Sequence, residues 1–314
     1  MRYSKILRAF CLLCLTATFA SCQEKVEDVH YVPKTPVGQV LLETCPEVAR
    51  IFRDTTFVVA VGVDQTFLHL QTSEGYVQQV HLLRIDTNTP GLKVRVAMPD
   101  NSNDISAGWK RQTLTDMATI MSKPRARVVG MINGDFWDMT EPINPRGPVH
   151  RGGAIVSSQW DYNEAVAQQA LSFVAIKKDG SMIIDDSDKY ESMKNDLVEC
   201  TGAGFIMLRE GAFPGTQWTA RDPRSAIGYT KDGIVYMLTV DGRKTFGAAG
   251  MTYKEMAFIF QSLGCVSAAN LDGGGSAQML IRHPVAGVFQ IRNSPADGQE
   301  RPVVNAWTVI VDEE

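Results

Sequence analysis

Four short stretches carry side chains able to break a bond beside a negatively charged group. NLDGGGSAQ (270–278) sets the carboxylate of Asp272 ahead of Gly273, Gly274 and Gly275 and ends on the hydroxyl of Ser276. A glycine inside a helix or strand costs roughly 0.5–1 kcal/mol, so three in a row indicate a backbone path that side chains would forbid. Successive glycines can turn their N–H groups toward one point and form a concavity for an anion. DGGGS alone also fits a tight turn capped by its aspartate. VDGR (240–243) places Asp241 and Arg243 after the apolar run IVYMLTV, and RDPRSAIG (221–228) opens a strand with Arg221 and Arg224. A guanidinium offers planar, paired donors to phosphate and stays charged near neutral pH. Arg224, and Arg301 before the last strand, are candidates for that role or for surface ion pairs; Arg221 is read as a surface ion pair. NGDFWD (133–138) adds Asn133, Gly134 and Asp135 as candidate contacts to sugar or phosphate, with Phe136 and Trp137 as an apolar face or as core.

Glycoside cleavage ordinarily uses two carboxyl groups, one acting at the anomeric carbon or on water and one protonating the leaving oxygen. Were the leaving group a phosphate monoester, whose second pKa is near 6, it would depart with little protonation, and one carboxylate plus an anion clamp would suffice. Asp272 and Asp241 are both candidates for that carboxylate. The histidines, His30, His69, His81, His150 and His283, show no paired metal-binding spacing; His150, in PRGPVHRGG, is the one expected near the site. No cofactor is required. Asp135, Asp138 and Glu141 form an oxygen-rich set that suits a structural calcium ion, although not at EF-hand spacing.

Such residues need elements to deliver them. TLTDMATIMSK (113–123) and TYKEMAFIFQSLG (252–264) read as helices, the first opened by Thr113 and Asp116, the second by the reciprocal Thr252–Glu255 cap and stopped at Gly264. Each runs into an apolar strand ending in a glycine-containing turn, RVVGMINGDFWD and CVSAANLDGGGS. Those strands would deliver Asn133, Asp135 and Asp272 to sheet ends, where such folds keep their chemistry. FVVAVGV, TFLHLQT, VQQVHLLRID and LKVRVAM suggest an antiparallel start, and the KDG turns at 178–180 and 231–233 suggest hairpins. The expected fold is α+β: mixed, strand-rich sheets flanked by a few helices in a single large domain.

Taken in order, NGDFWD, RSAIGYTKDG, VDGR, the GMT-led helix, NLDGGGSAQM and ERPVVNAW resemble the phosphodiester glycosidase family, over roughly residues 80 to 312. The resemblance implies hydrolysis of a sugar-1-phosphodiester of the GlcNAc-phosphate-sugar type at the anomeric C–O bond. It adds weight to Asp272, Asp241, Arg224 and Ser276 as catalytic residues and to Asn133, Gly134, Asp135, Gly273, Gly274, Gly275, Arg243 and Arg301 as substrate contacts. Asp135 departs from the glycine expected at its position in many relatives.

Arg2, Lys5 and Arg8 precede an apolar segment shorter than the ~20 residues a membrane span needs. It reads as an export signal over 1–21. FASCQE resembles a bacterial lipoprotein processing site, with Cys22 the lipidated residue. A tether (22–40), a strand-rich extension (41–76) and the main domain (77–314) are expected to follow. The chain is then exported and lipid-anchored to a bacterial cell envelope, with a phosphorylated glycan as partner. A formal charge of −4 with signs mixed throughout gives no basic stripe for nucleic acid. Cys45, Cys200 and Cys265 remain in the folded part; they match no zinc pattern, and Cys45–Cys200 is the expected disulfide. Two other readings compete: a non-catalytic surface lipoprotein that binds phosphorylated glycans, and a serine hydrolase built on Ser276.

Overall fold

The computed structural model describes residues 31–312. The export segment, Cys22 and the tether as far as residue 30 lie outside the described residues. Local signals set the helices. Tyr253–Ser262 is opened by a complete capping box between Thr252 and Glu255, and Leu114–Met121 by Thr113, whose hydroxyl accepts from the Asp116 N–H. A third helix, Pro36–Thr44, occupies the end of the expected tether. Thr35 caps it by accepting from Gly38 N, and Pro36 takes the first helical position, where a missing N–H costs nothing.

All paired strands are antiparallel, in three sheets. The seven-stranded sheet runs Val48–Ala60, Val63–Thr72, Val77–Asp86, Ile234–Val240, Arg224–Thr230, Cys265–Asn270, Ile206–Leu208. A five-stranded sheet runs Phe289–Ile291, Met279–Arg282, Ala126–Asn133, Ala306–Asp312, Leu92–Ala97. The other runs Val149–Arg151 at its second place, between Ala154–Ser157 and Leu197–Ala203, then Ser172–Lys177 and Met182–Asp186. Both KDG segments form hairpin turns, with Gly180 and Gly233 at φ of 86° and 87°. The fold is therefore the α+β, strand-rich class expected. One core is shared by all three sheets: Leu83 and Ile227 from the first, Val96, Ile132 and Trp307 from the second, Val149 and Val174 from the third. The outer face of the seven-stranded sheet is covered by Pro36–Thr44 and Tyr253–Ser262.

Residues 41–76 supply two strands of the largest sheet, continuous with Val77–Asp86 through the pairing of Val63–Gln71 with Val77–Ile85. The expected Cys45–Cys200 disulfide does not form. Cys45 packs with Leu41 and Leu68 beneath the helices, Cys200 with Phe173 and Tyr190 in a different cluster, and Cys45, Cys200 and Cys265 are all free and buried. His150 is also buried: its Nε2 lies 2.8 Å from the Tyr190 hydroxyl and its ring meets Tyr190 edge-on.

The segment entering the first helix is fastened by Asp54. Its carboxylate accepts from Lys34 N (3.0 Å), Thr35 N (2.7 Å), Thr35 Oγ1 (2.6 Å) and the Tyr31 hydroxyl (2.7 Å). Burial pulls its pKa up, but these donors outweigh burial and the net shift is downward. The stabilisation is thus complete above the unfolded pKa of about 4 and is lost as pH falls through the folded value. Asp54→Asn is expected to cost about 1–3 kcal/mol in urea unfolding at pH 7 and to lessen the loss of stability on the acid side. An unchanged urea midpoint would contradict this.

Candidate active site

Two sheet ends meet at one place. In the seven-stranded sheet Arg224 pairs with Val240, and Ala226 with Asn270. Asp241, Arg224 and Asp272 therefore emerge side by side where these strands finish or start. In the five-stranded sheet Asn133 pairs with Ala306, and Ile132 with Met279, so Asn133, Asn305 and Gln278 form the facing row.

Asn133 joins the rows. Its Nδ2 donates to Asp272 O (2.6 Å), and its Oδ1 accepts from Ser225 Oγ (2.6 Å) and Gln278 N (3.1 Å). Asp272 N returns a bond to Gly134 O (3.0 Å). Asn133 is wholly buried and spends its side chain on the protein, so it positions Asp272 where a contact to sugar was expected. Asn305 continues the fastening: its Oδ1 accepts from Asp135 N (2.8 Å), its backbone oxygen from Gly134 N (3.1 Å).

The triple glycine also differs from expectation. Gly273 N donates to Asp272 Oδ1 (2.9 Å), Gly274 N to Pro223 O (2.8 Å), Ser276 N to Gly273 O (3.0 Å) and Ala277 N to Gly274 O (3.3 Å). With the Gly273 and Gly274 amides engaged, the three glycines do not present a continuous row of open N–H groups. The glycines instead allow close approach. A Cβ at Gly273 would stand 2.7 Å from Pro223 O, one at Gly274 2.8 Å from an Arg243 nitrogen, and one at Gly275 would collide with the Arg301 guanidinium. Gly274 also sits at φ +58°, which disfavours a side chain.

Positive charge gathers around this turn. Arg301 pairs with Asp297 (2.6 Å) and donates to Ser276 Oγ (3.4 Å), while Gln278 holds its backbone in both directions. Arg243 pairs with Asp222 (3.0 Å). Arg224 is different. It is 9% exposed, lies 4.4 Å over the Tyr253 ring, and donates only to neutral acceptors: Met251 O (3.3 Å), Tyr253 Oη (3.2 Å) and Ala220 O (2.9 Å). Among the described residues it has no carboxylate ion-pair partner. Arg221, read as an ion pair, bridges Glu255 (2.6 Å) and Glu74 (2.7 Å).

Three carboxyls at these converging strand ends, Asp135, Asp272 and Asp241, stand above their usual range. Burial pushes Asp135 up to about 8, against the bonds from Gly147 and Phe136 amides; the neighbouring charge of Asp272 adds to the rise. Burial pushes Asp272 up to about 6, opposed by Ser276, Arg301, the Gly273 N–H and Trp137. Asp272 nevertheless keeps a solvent-facing edge. Trp137, buried in the core, faces it without completing a hydrogen bond. Asp241 is pushed up to about 6, again by burial; it is fully enclosed, and its Oδ1 accepts from Ser294 N (2.8 Å). Carboxyls perturbed by burial and by each other in one place mark a candidate catalytic site.

The calcium set does not assemble. Asp138 pairs with Arg146, Glu141 accepts from Ile143 N (3.2 Å) and Asp135 accepts from Gly147 N (2.7 Å), so the three turn to separate partners. Among the described residues no cluster of three His, Cys, Asp or Glu side chains forms. Sequence reasoning missed Asn270 and Asn305. Asn270 is wholly buried two residues before Asp272, with neither amide atom partnered, and Asn305 Nδ2, Asp135 Oδ1 and Trp137 Nε1 are likewise buried without partners. A polar residue at the boundary of an apolar strand, closing it in SAAN and preceding it in VVNA, was the available signal.

Asp135 yields a test. The unfolded carboxyl releases its proton near 4 and the folded one near 8, so the native state holds the extra proton between those values and stability falls as pH rises. Asp135→Asn is expected to flatten that fall by about 1.4 kcal/mol per pH unit at most, read from chemical unfolding at several pH values. An unchanged slope would contradict the assignment.

The catalytic domain of zebrafish N-acetylglucosamine-1-phosphodiester alpha-N-acetylglucosaminidase, auto-inhibited by its pro-peptide, shares this fold at a TM-score of 0.60 and 18% identity, over 83% of this chain and 88% of that one. A Synechocystis protein gives 0.60 and 17%, over 82% of this chain and 64% of its own. In sequence, the SPbeta prophage-derived protein YomE of Bacillus subtilis (strain 168) is 38% identical over 97 residues, 30% of this chain. The chain spans only 14% of that relative's length. The sequence model of the phosphodiester glycosidases matches residues 126–310, which runs from the strand delivering Asn133 through Asp241 and Asp272 to the last strand: the chain belongs to the phosphodiester glycosidase family.

Proposed function

We propose that the protein hydrolyses the anomeric C–O bond of a sugar-1-phosphodiester, releasing free sugar and a phosphate monoester. The observation that carries this reading is the placement of Asp272, a carboxyl with a solvent edge, between a second, proton-holding carboxyl at Asp135 and guanidinium groups. Asp272 acts on the anomeric carbon or on water. Asp135, neutral below about pH 8, spares Asp272 an adjacent negative charge, so Asp272 is the group that ionises. Arg224, lacking a carboxylate partner, and Arg301, shared with Asp297, suit the phosphate. The unpartnered polar atoms of Asn270, Asn305 and Trp137 supply bonding capacity beside them, since buried polar groups ordinarily find partners. Asp241 is a weaker candidate for attack than Asp272 because it is enclosed and turned to residues 293–294. Ser276 lies against Arg301 with no histidine assigned to it, which disfavours a serine nucleophile. Arg243 and the three glycines shape the same corner.

We further propose that the protein works outside the cytoplasm, tethered at Cys22 to the envelope; the charged and apolar start of the chain supports this.

Purified protein is expected to release N-acetylglucosamine from a GlcNAc-1-phosphodiester, and Asp272→Asn to lower kcat by about 10²–10⁴-fold. Arg224→Ala is expected to lower kcat/KM by about 10²-fold. Because the working form is the carboxylate, kcat/KM should climb with pH and level off near 6, the Asp272 value. Full activity in both variants, or a profile that falls through pH 6, would contradict the reading.

A further inference from the structure

Arg224 is a cation withdrawn from water that the fold holds with no anion. Asp222, two residues before it, pairs with Arg243 (3.0 Å), and Glu255, two residues past Tyr253, pairs with Arg221 (2.6 Å). A buried charge ordinarily takes a partner of opposite sign. Here Tyr253 stands in that place. Its ring centroid lies 4.4 Å from the guanidinium carbon, and its hydroxyl accepts from Nη1 (3.2 Å). The negative face of the ring and the lone pairs of the hydroxyl both attract positive charge, and neither is an anion.

The remaining bonds fix the direction of the group. Met251 O takes Nε (3.3 Å) and Ala220 O takes Nη2 (2.9 Å), which leaves one N–H on each terminal nitrogen without a protein acceptor among the described residues. The stem runs past the glycine turn: Cδ lies 3.8 Å from where a Cβ on Gly273 would stand, one residue from Asp272. Tyr253 is itself immobile. It is 1% exposed and opens the helix Tyr253–Ser262 directly after the Thr252 cap. Phe205 packs on it at 5.5 Å and Trp218 meets it edge-on at 6.5 Å, with Phe205 and Trp218 in contact at 5.5 Å. Burial pushes its phenol above the ordinary range, with Arg224 opposing, so the hydroxyl stays neutral.

We propose that Tyr253 is the positioning residue that holds Arg224 in place while leaving its charge unneutralised for the substrate's phosphate. The inference rests on the phosphodiester reading above. A carboxylate in the place of Tyr253 would grip the guanidinium more firmly, but phosphate would then have to displace it. An aromatic ring grips the cation and does not compete. The wall of Phe205 and Trp218 keeps that ring, and through it the two free donors, in one orientation.

Calorimetry with inorganic phosphate on the whole protein is the direct test. Tyr253→Leu is expected to weaken binding by about tenfold, and Tyr253→Phe, which keeps the ring, by less than about threefold. In an Arg224→Ala background the same Tyr253→Leu change should alter phosphate binding by less than about twofold, because Tyr253 acts through Arg224. Equal weakening in both backgrounds marks a merely structural role and overturns the proposal, as does an unchanged affinity in Tyr253→Leu or a wild-type protein that binds no phosphate. On a GlcNAc-1-phosphodiester, kcat/KM should fall in the same order, Leu well below Phe; equal values for Leu and wild type would also overturn it. If the diester is not cleaved while phosphate binds in the order given, the functional reading fails and the role of Tyr253 stands.

Discussion

One amide side chain fixes where the chemistry can happen. Asn133 reaches from the end of one sheet to the Asp272 carbonyl, and takes bonds from Ser225 of the other sheet and from Gln278 of its own. Two sheets with separate hydrogen-bond ladders are thereby locked at their ends, and the Asp272 backbone cannot move without breaking this bond. The shared core sets the distance between the sheets; Asn133 sets their registration at the one point where a carboxyl needs it.

The same burial that makes the fastening firm also gives the carboxyls their character. A carboxylate withdrawn from water is disfavoured unless donors compensate, and here compensation is deliberately incomplete. Asp54, in the N-terminal segment, is also closed to solvent but less deeply set, and its donors bring the net shift downward. Asp135 is set deeper, receives fewer donors and holds its proton to about 8. Depth and donor supply together separate the two carboxyls. Glycines at 134, 202 and 275 belong to this economy of space. They let Asn305, Asp135 and Arg301 crowd into positions that any Cβ would occupy.

Much of this was legible in the sequence and some was not, for identifiable reasons. The capping box at Thr252, the cap at Thr113 and the two KDG hairpins depend on neighbours within a few residues, so local reading finds them. The pairing of each helix with a strand ending at Asn133 or Asp272 was legible too, but not that the strands lie in different sheets whose ends converge. Pro33 and Pro36 suggested a tether, whereas Thr35-Pro36 is a helix start. GGG suggested open amides because sequence does not disclose which acceptors, here the Asp272 carboxylate for Gly273 and the Pro223 carbonyl for Gly274, will claim them. Asn133 was read as a substrate contact for the same reason: its type was informative, its partners were tertiary. Cys45 and Cys200 were free to pair in an exported chain, yet the sheets bury them in separate cores.

The central claim is that two neighbouring carboxyls of this site ionise in a set order, Asp272 first and Asp135 second. Carbon-13 NMR titration of the aspartate carboxyls, assigned with Asp272→Asn and Asp135→Asn, measures that order directly. The account predicts a midpoint near 6 for Asp272 and near 8 for Asp135. Midpoints near 4 for both, or Asp135 ionising before Asp272, would contradict it.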